Sequence, residues 1–188
     1  MNLIHNLEAT WYYHQGSCQL EAKDNEAALA NFERALNLQP DHYKAWFGRG
    51  MALGNLERHL EAKRSFDEAL ALQPNASFGW HNRAIALGKL GRHLEALNSF
   101  DRAIEFNPCA PNIWHNRGLT LIDMGLYDKA VLSFDRSLNL QPDAYWTWYN
   151  RGNALLELKL YYQALNSFDR AIEFNPDDAK AWYNRGIA

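Results

Sequence analysis

Along one stretch of the chain, Ala96, Leu97, Phe100, Ala103 and Ile104 fall at the spacing of a single helical face. Glu95, Asp101, Arg102 and Glu105 take the positions between them, so an amphipathic helix is predicted. Residues 96–108 then reappear letter for letter as residues 164–176. Trp46, Trp80, Trp114, Trp148 and Trp182 stand 34 residues apart, and Tyr12 holds the same slot one step earlier. Phe32, Phe66, Phe100, Phe134 and Phe168 form a second column, and Pro40, Pro74, Pro108, Pro142 and Pro176 a third. A fixed period of this length marks a small unit used repeatedly, each copy packing only on its neighbours.

Each unit reads as two antiparallel helices, the first through the Trp column and the second through the Phe column. Small residues, Gly50, Ala84, Gly118 and Gly152 in the first helix and Ala62, Ala96, Ala130 and Ala164 in the second, are expected to let the pair approach closely. Asn-Pro or Gln-Pro closes each unit, because proline cannot continue a helix. Asp41, Asn75, Asp143 and Asp177 follow and are expected to cap the next helix. The Trp and Phe stripes are both expected in the core. The predicted organisation is a lead over residues 1–8 that extends the first helix, full repeats at 9–42, 43–76, 77–110, 111–144 and 145–178, and the first helix of a sixth at 179–188.

Trp, Gly four residues later, Ala at sixteen, Phe at twenty and Pro at twenty-eight resemble the pattern of the tetratricopeptide repeat family, in its bacterial Trp-x-Asn-Arg-Gly form. Residues 9–188 carry the likeness. Tyr12, Gln19, Ala84 and Ser137 depart mildly from it. The resemblance implies an all-α, right-handed superhelical solenoid whose first helices line a concave groove. It also implies binding of peptides or proteins without chemistry of the chain's own.

A net charge of −3 disfavours a polyanion surface, so no nucleic-acid partner is expected. No apolar run approaches the roughly 18 residues of a membrane span. Cys18 sits in a column with Ala52, Ala86, Thr120 and Ala154 and is expected to be a small buried residue, while Cys109 follows Pro108 in a loop. Neither suggests a disulfide, which fits a cytoplasmic setting. The seven histidines lack the spacing and companions of a zinc site, so no metal or cofactor is expected. Nearly every polar residue belongs to a periodic column, which leaves no candidate catalytic group and predicts a non-enzyme.

Arginine recurs three residues after each Trp, at Arg49, Arg83, Arg117, Arg151 and Arg185. An acid follows each Phe, at Glu33, Asp67, Asp101, Asp135 and Asp169. Pairing each acid with the arginine of the next repeat closes all five pairs, and the first repeat, lacking a predecessor, has the uncharged Gln15 in the arginine slot. Pairing within repeats leaves Glu33 opposite Gln15 and Arg185 alone. A salt-bridge ladder between repeats is therefore predicted.

Two residues after Trp come Asn82, Asn116, Asn150 and Asn184, where the earlier repeats have His14 and Gly48. An amide offers a donor and an acceptor that match an extended peptide backbone. This column resembles the one in the repeat region of O-linked N-acetylglucosamine transferase, where such a ladder grips peptide backbones. Phe78, His81, His115, Trp146, Tyr149 and Tyr183 are expected to flank the rungs and receive ligand side chains, with Asn153 adding a polar contact. Helix spacing of about 8–10 Å against about 3.3 Å per strand residue sets one rung to every third ligand residue. The slots where a chaperone-tail clamp needs lysine hold other residues, leaving Lys44 and Lys180 four repeats apart. The expected function is a scaffold for an extended peptide or partner protein; the alternative is the regulatory or substrate-recruiting arm of an enzyme or signalling protein whose catalytic domain lies outside this chain. Nothing polar follows Ile187, so the last helix is expected to be covered by another molecule, by end-to-end association for instance, or to fray.

Overall fold

The computed structural model describes residues 3–188, and all of its regular structure there is helical. Eleven helices follow one another among the described residues: α1 Leu3–Glu21, α2 Asn25–Leu38, α3 Tyr43–Asn55, α4 His59–Leu72, α5 Ser77–Lys89, α6 His93–Phe106, α7 Pro111–Asp123, α8 Tyr127–Leu140, α9 Tyr145–Glu157, α10 Tyr161–Phe174 and α11 Ala179–Ile187. They form two compact units, Met1–Phe106 and Asn107–Ala188. Within each unit every helix packs on the one that follows it. Successive first helices also touch, α1 with α3 and α3 with α5 in one unit, α7 with α9 in the other. No pair of successive second helices within a unit packs to that extent among the described residues. The odd-numbered helices therefore lie on the inner side of each unit's curve.

The Phe column is the centre of every repeat. Phe32, Phe100, Phe134 and Phe168 are essentially sealed from solvent, and Phe66 nearly so. A Cβ placed on Gly50 would lie 2.5 Å from the Phe66 ring, one on Gly118 2.5 Å from Phe134, and one on Gly152 2.6 Å from Phe168. The small first-helix residues thus admit a ring, and it is the ring that brings the helices together. The slot after each Trp rests on the same ring. Phe47–Phe66, His81–Phe100, His115–Phe134 and Tyr149–Phe168 have centroids 5.6, 5.9, 5.7 and 6.0 Å apart.

Four expectations need correcting. The predicted helix caps fall one residue later, at His42, Ala76, Ala144 and Asp178, because the residue after proline is still in the turn, and α7, for which no cap was predicted, starts after Ala110. His42 and Asp178 accept a backbone N–H there, while the three alanines offer no side-chain cap. The tryptophans are half-buried rather than core, and Trp182 is exposed. Each indole N–H donates to the carbonyl of the column proline six residues earlier, at 2.8–2.9 Å. Cys18 is exposed, since its column faces the preceding repeat and none lies against α1 among the described residues. Finally, where a covered or frayed end was expected, α11 is a formed helix to Ile187 with Trp182, Tyr183 and Ile187 exposed. The predicted lead is helical from Leu3, and Met1 and Asn2 lie outside the described residues.

One column escaped the sequence reading. Lys23, Glu57, Gly91, Gly125 and Lys159 all have φ between +59° and +72°, ending each first helix in the left-handed conformation.

Gly152→Ala should destabilise the chain by about 1–3 kcal/mol, because the Phe168 ring occupies the space a methyl needs. Gly88→Ala, with nothing within 4 Å of its Cβ, should stabilise by about 0.5–1 kcal/mol through helix propensity. Urea denaturation of the two variants beside the parent checks both signs.

Candidate functional site

Two faces of the repeats carry polar columns, and they do different things. On the first, arginine reaches into three elements at once. Arg49 Nη2 lies 3.0 Å from Glu33 Oε1, and the Nε atoms of Arg83 and Arg151 lie 2.7 Å from Asp67 Oδ1 and Asp135 Oδ1. Arg185 pairs with Asp169 in the same way. All four predicted pairs that lie within a unit close. The arginine side chains of the first three are four-fifths buried and their acids are half-open.

The sequence reading missed the third member of this arrangement. Ser65, Ser99, Ser133 and Ser167, each directly before its Phe, accept from Nη1 of Arg49, Arg83, Arg117 and Arg151 at 2.6–2.8 Å. Each hydroxyl in turn donates to the carbonyl four residues back in its own helix. The serines are sealed, so a donor is required at that point. The guanidinium also lies over its own Trp, at 5.9 Å for Arg49–Trp46, 5.6 Å for Arg83–Trp80 and 5.8 Å for Arg151–Trp148. A signal was available: the serine column keeps the 34-residue period from Ser65 onward and is Asn31 only where the arginine slot is Gln15.

The second polar column is the asparagines on the first helices. Asn82 lies in the first unit, and Asn116, Asn150 and Asn184 in the second. All four are half-buried. They are not equivalent. Asn82 gives its amide N–H to the Phe78 carbonyl at 2.8 Å. Asn184 ties α11 back to α9, donating to Tyr149 Oη at 3.2 Å and to Asn153 Oδ1 at 2.9 Å. Asn150 alone among these three has no side-chain partner among the described residues.

Of the predicted flanking residues, Phe78, Trp146 and Tyr183 are exposed, the last two most fully. Trp146 stands edge-on to Tyr145 and Tyr149, at 4.8 and 6.2 Å. His81 does not belong with them. It is 5% exposed, wedged between Phe100 and Phe78, and presents no surface to a ligand. His115 and Tyr149 are half-buried on the same Phe column, with His115 Nδ1 2.8 Å from Thr147 Oγ1.

Family models described as tetratricopeptide repeat match residues 13–77, 79–108, 99–131 and 145–178, together most of the chain. The chain belongs to the tetratricopeptide repeat family. This repeat protein is similar in structure to YrrB, a TPR protein reported with an unusual peptide-binding site. The two are 26% identical over 93% of this chain and 90% of that one, with a TM-score of 0.79. MamA from Desulfovibrio magneticus RS-1 superposes with a TM-score of 0.84 at 19% identity, over 92% and 97% of the two chains. PilF of Pseudomonas aeruginosa does so with 0.83 at 18% identity, over 96% and 82%. These last two show the shared fold. No curated protein matches the sequence. No described helix of the chain is long and apolar enough to cross a membrane.

Burial holds the His81 imidazole well below its ordinary value of 6.5, at about 4. His115 is lowered for the same reason. The unfolded chain therefore takes up a proton at position 81 below pH 6.5 that the folded chain refuses until pH 4. The stability contribution is whole above pH 6.5, declines between 6.5 and 4, and is lost below. His81→Phe puts in this slot the residue that Phe47 already represents. It should remove roughly 3 kcal/mol of the acid destabilisation seen by pH 4, read from urea midpoints across that range. An unchanged pH slope would mean that His81 is not held neutral.

Proposed function

We propose that this tetratricopeptide repeat chain is an interaction scaffold that holds an extended peptide, or an extended segment of a partner protein, against its first helices. It acts by holding its partner and not by chemistry. In the second unit the contact centres on Asn116 and Asn150, with Trp146 and Tyr183 as anchors and Asn153 beside them. In the first unit Asn82 and Phe78 play the same parts. The observation that carries the reading is Asn150. Among the described residues nothing engages its amide donor or acceptor, and it stands one turn from an indole that is 62% exposed. An amide in that state matches the N–H and C=O of any extended backbone, and an open aromatic supplies the apolar anchor on which interfaces rely. The reported peptide-binding site of YrrB, similar over nearly the whole chain, supports it. Asn184 and Tyr149 hold the platform by their mutual hydrogen bond, so their part is to position. Exposed free thiols at Cys18 and Cys109 fit a reducing, cytoplasmic setting.

Peptides selected from a random twelve-residue phage library on the immobilised chain provide the test ligand. Asn150→Ala should weaken their binding several-fold, as loss of one or two neutral hydrogen bonds at about 0.5–1.5 kcal/mol each requires. Replacing Asn82, Asn116 and Asn150 together should nearly abolish it in calorimetry while the circular dichroism spectrum stays helical. Parental affinity in the triple variant would remove the asparagines from the binding face.

A further inference from the structure

Two classes of glycine sit in the first helices, and only one is explained by packing. Gly50, Gly118 and Gly152 are filled by phenylalanine rings. Gly54, in the last turn of α3, has nothing within 4 Å of where its Cβ would stand, and its φ is not positive. Glycine there weakens the helix without serving the fold. It lines a cavity of about 270 Å³ formed by α3, α4 and α5, wholly within the first unit. Met51, Gly54 and Ile85 give it apolar walls, and Asn55 and Asn82 stand among its polar groups. Asn55 is held in place by Asn25 Oδ1 at 2.9 Å. The volume lies just under the roughly 300–1,000 Å³ that whole small-molecule ligands use, and suits one side chain of a longer ligand. Lys89 is the only lysine, arginine, aspartate or glutamate in the lining, and its ammonium has no acidic partner among the described residues. The site is thus mainly apolar, with Lys89 and the His59 imidazole among its lining groups.

We propose that this cavity receives an apolar side chain of an extended peptide whose next residue is an aspartate or glutamate that meets Lys89. The inference rests on the reading of the chain as a peptide scaffold and adds to it a sequence preference, located in the first unit and read by α3 and α5. Asn82, which itself lines the cavity, is the backbone rung next to it. Gly54 is the residue that keeps the entrance clear, since any side chain at that point would project into the space the ligand needs.

The test uses three libraries of amidated nonapeptides with random flanks and a fixed central pair: leucine–glutamate, leucine–lysine or serine–glutamate. Amidation removes the terminal carboxylate as a rival source of negative charge. Retention on the immobilised full chain should favour the leucine–glutamate set by roughly tenfold over the other two. Gly54→Leu should erase that preference while the melting temperature holds or rises, because nothing lies within 4 Å of where its Cβ would stand and leucine is the better helix former. Lys89→Glu, on an exposed position, should turn the charge preference toward leucine–lysine and gives a readout independent of the helix. Equal retention of the three sets, or a preference that survives Gly54→Leu, would overturn the proposal. Retained peptides that respond to Asn150→Ala and ignore Gly54 would defeat this inference and leave the scaffold reading standing. Retention of no peptide at all would defeat both.

Discussion

The guanidinium of the arginine column is the point at which neighbouring repeats are locked together. Each of Arg49, Arg83 and Arg151 bonds an acid on the preceding second helix and a sealed serine on its own second helix. It also covers the tryptophan of its own first helix, whose N–H is fixed to the preceding turn. Three helices and a loop meet at one rigid planar cation. Arginine suits this place better than lysine, since its fork of fixed donors bonds two partners at once and its flat face stacks on an indole. Four-fifths burial of the arginine lifts these pairs above the near-zero value of an exposed ion pair. Phenylalanine rings give the repeats their cohesion without direction. The arginines supply direction.

With that face committed to structure, the inner face of the odd-numbered helices is left to vary. There the period breaks in informative ways. The slot near the end of the first helix holds Leu20, Gly54, Gly88, Ile122 and Leu156 in turn, and Gly54 lines a cavity there. A solenoid needs its packing columns to be uniform because each interface repeats the last. Positions free of that demand are where recognition is built.

Most of the architecture was legible in the chain because a period of 34 residues fixes which positions are equivalent. Helix pairs, the phenylalanine centre and the acid–arginine partners all follow once equivalence is known. Direction is harder to read. His81 was placed among the groove residues because its slot adjoins the asparagine column, yet from Phe47 to Tyr149 that slot lies against the Phe column. The caps were misplaced by one residue because Asp41, Asn75, Asp143 and Asp177 have capping chemistry but sit in the turn. The serine that receives each arginine was missed because a small hydroxyl in a helix reads as filler until a buried donor is seen beside it. Asn184 was read as a rung, and its hydrogen bonds to Tyr149 and Asn153 could not be inferred from spacing alone.

A double-mutant cycle on Arg151 and Asp135 tests the locking role most directly. Both are changed to alanine singly and together, and stability is measured in urea, which leaves the ion pair unscreened as guanidinium chloride would not. Residues that share one buried network couple by about 0.5–3 kcal/mol, and the upper half of that range is the result expected here. A coupling energy near zero would mean that the pair is a surface ornament and that something else sets the stacking of the repeats.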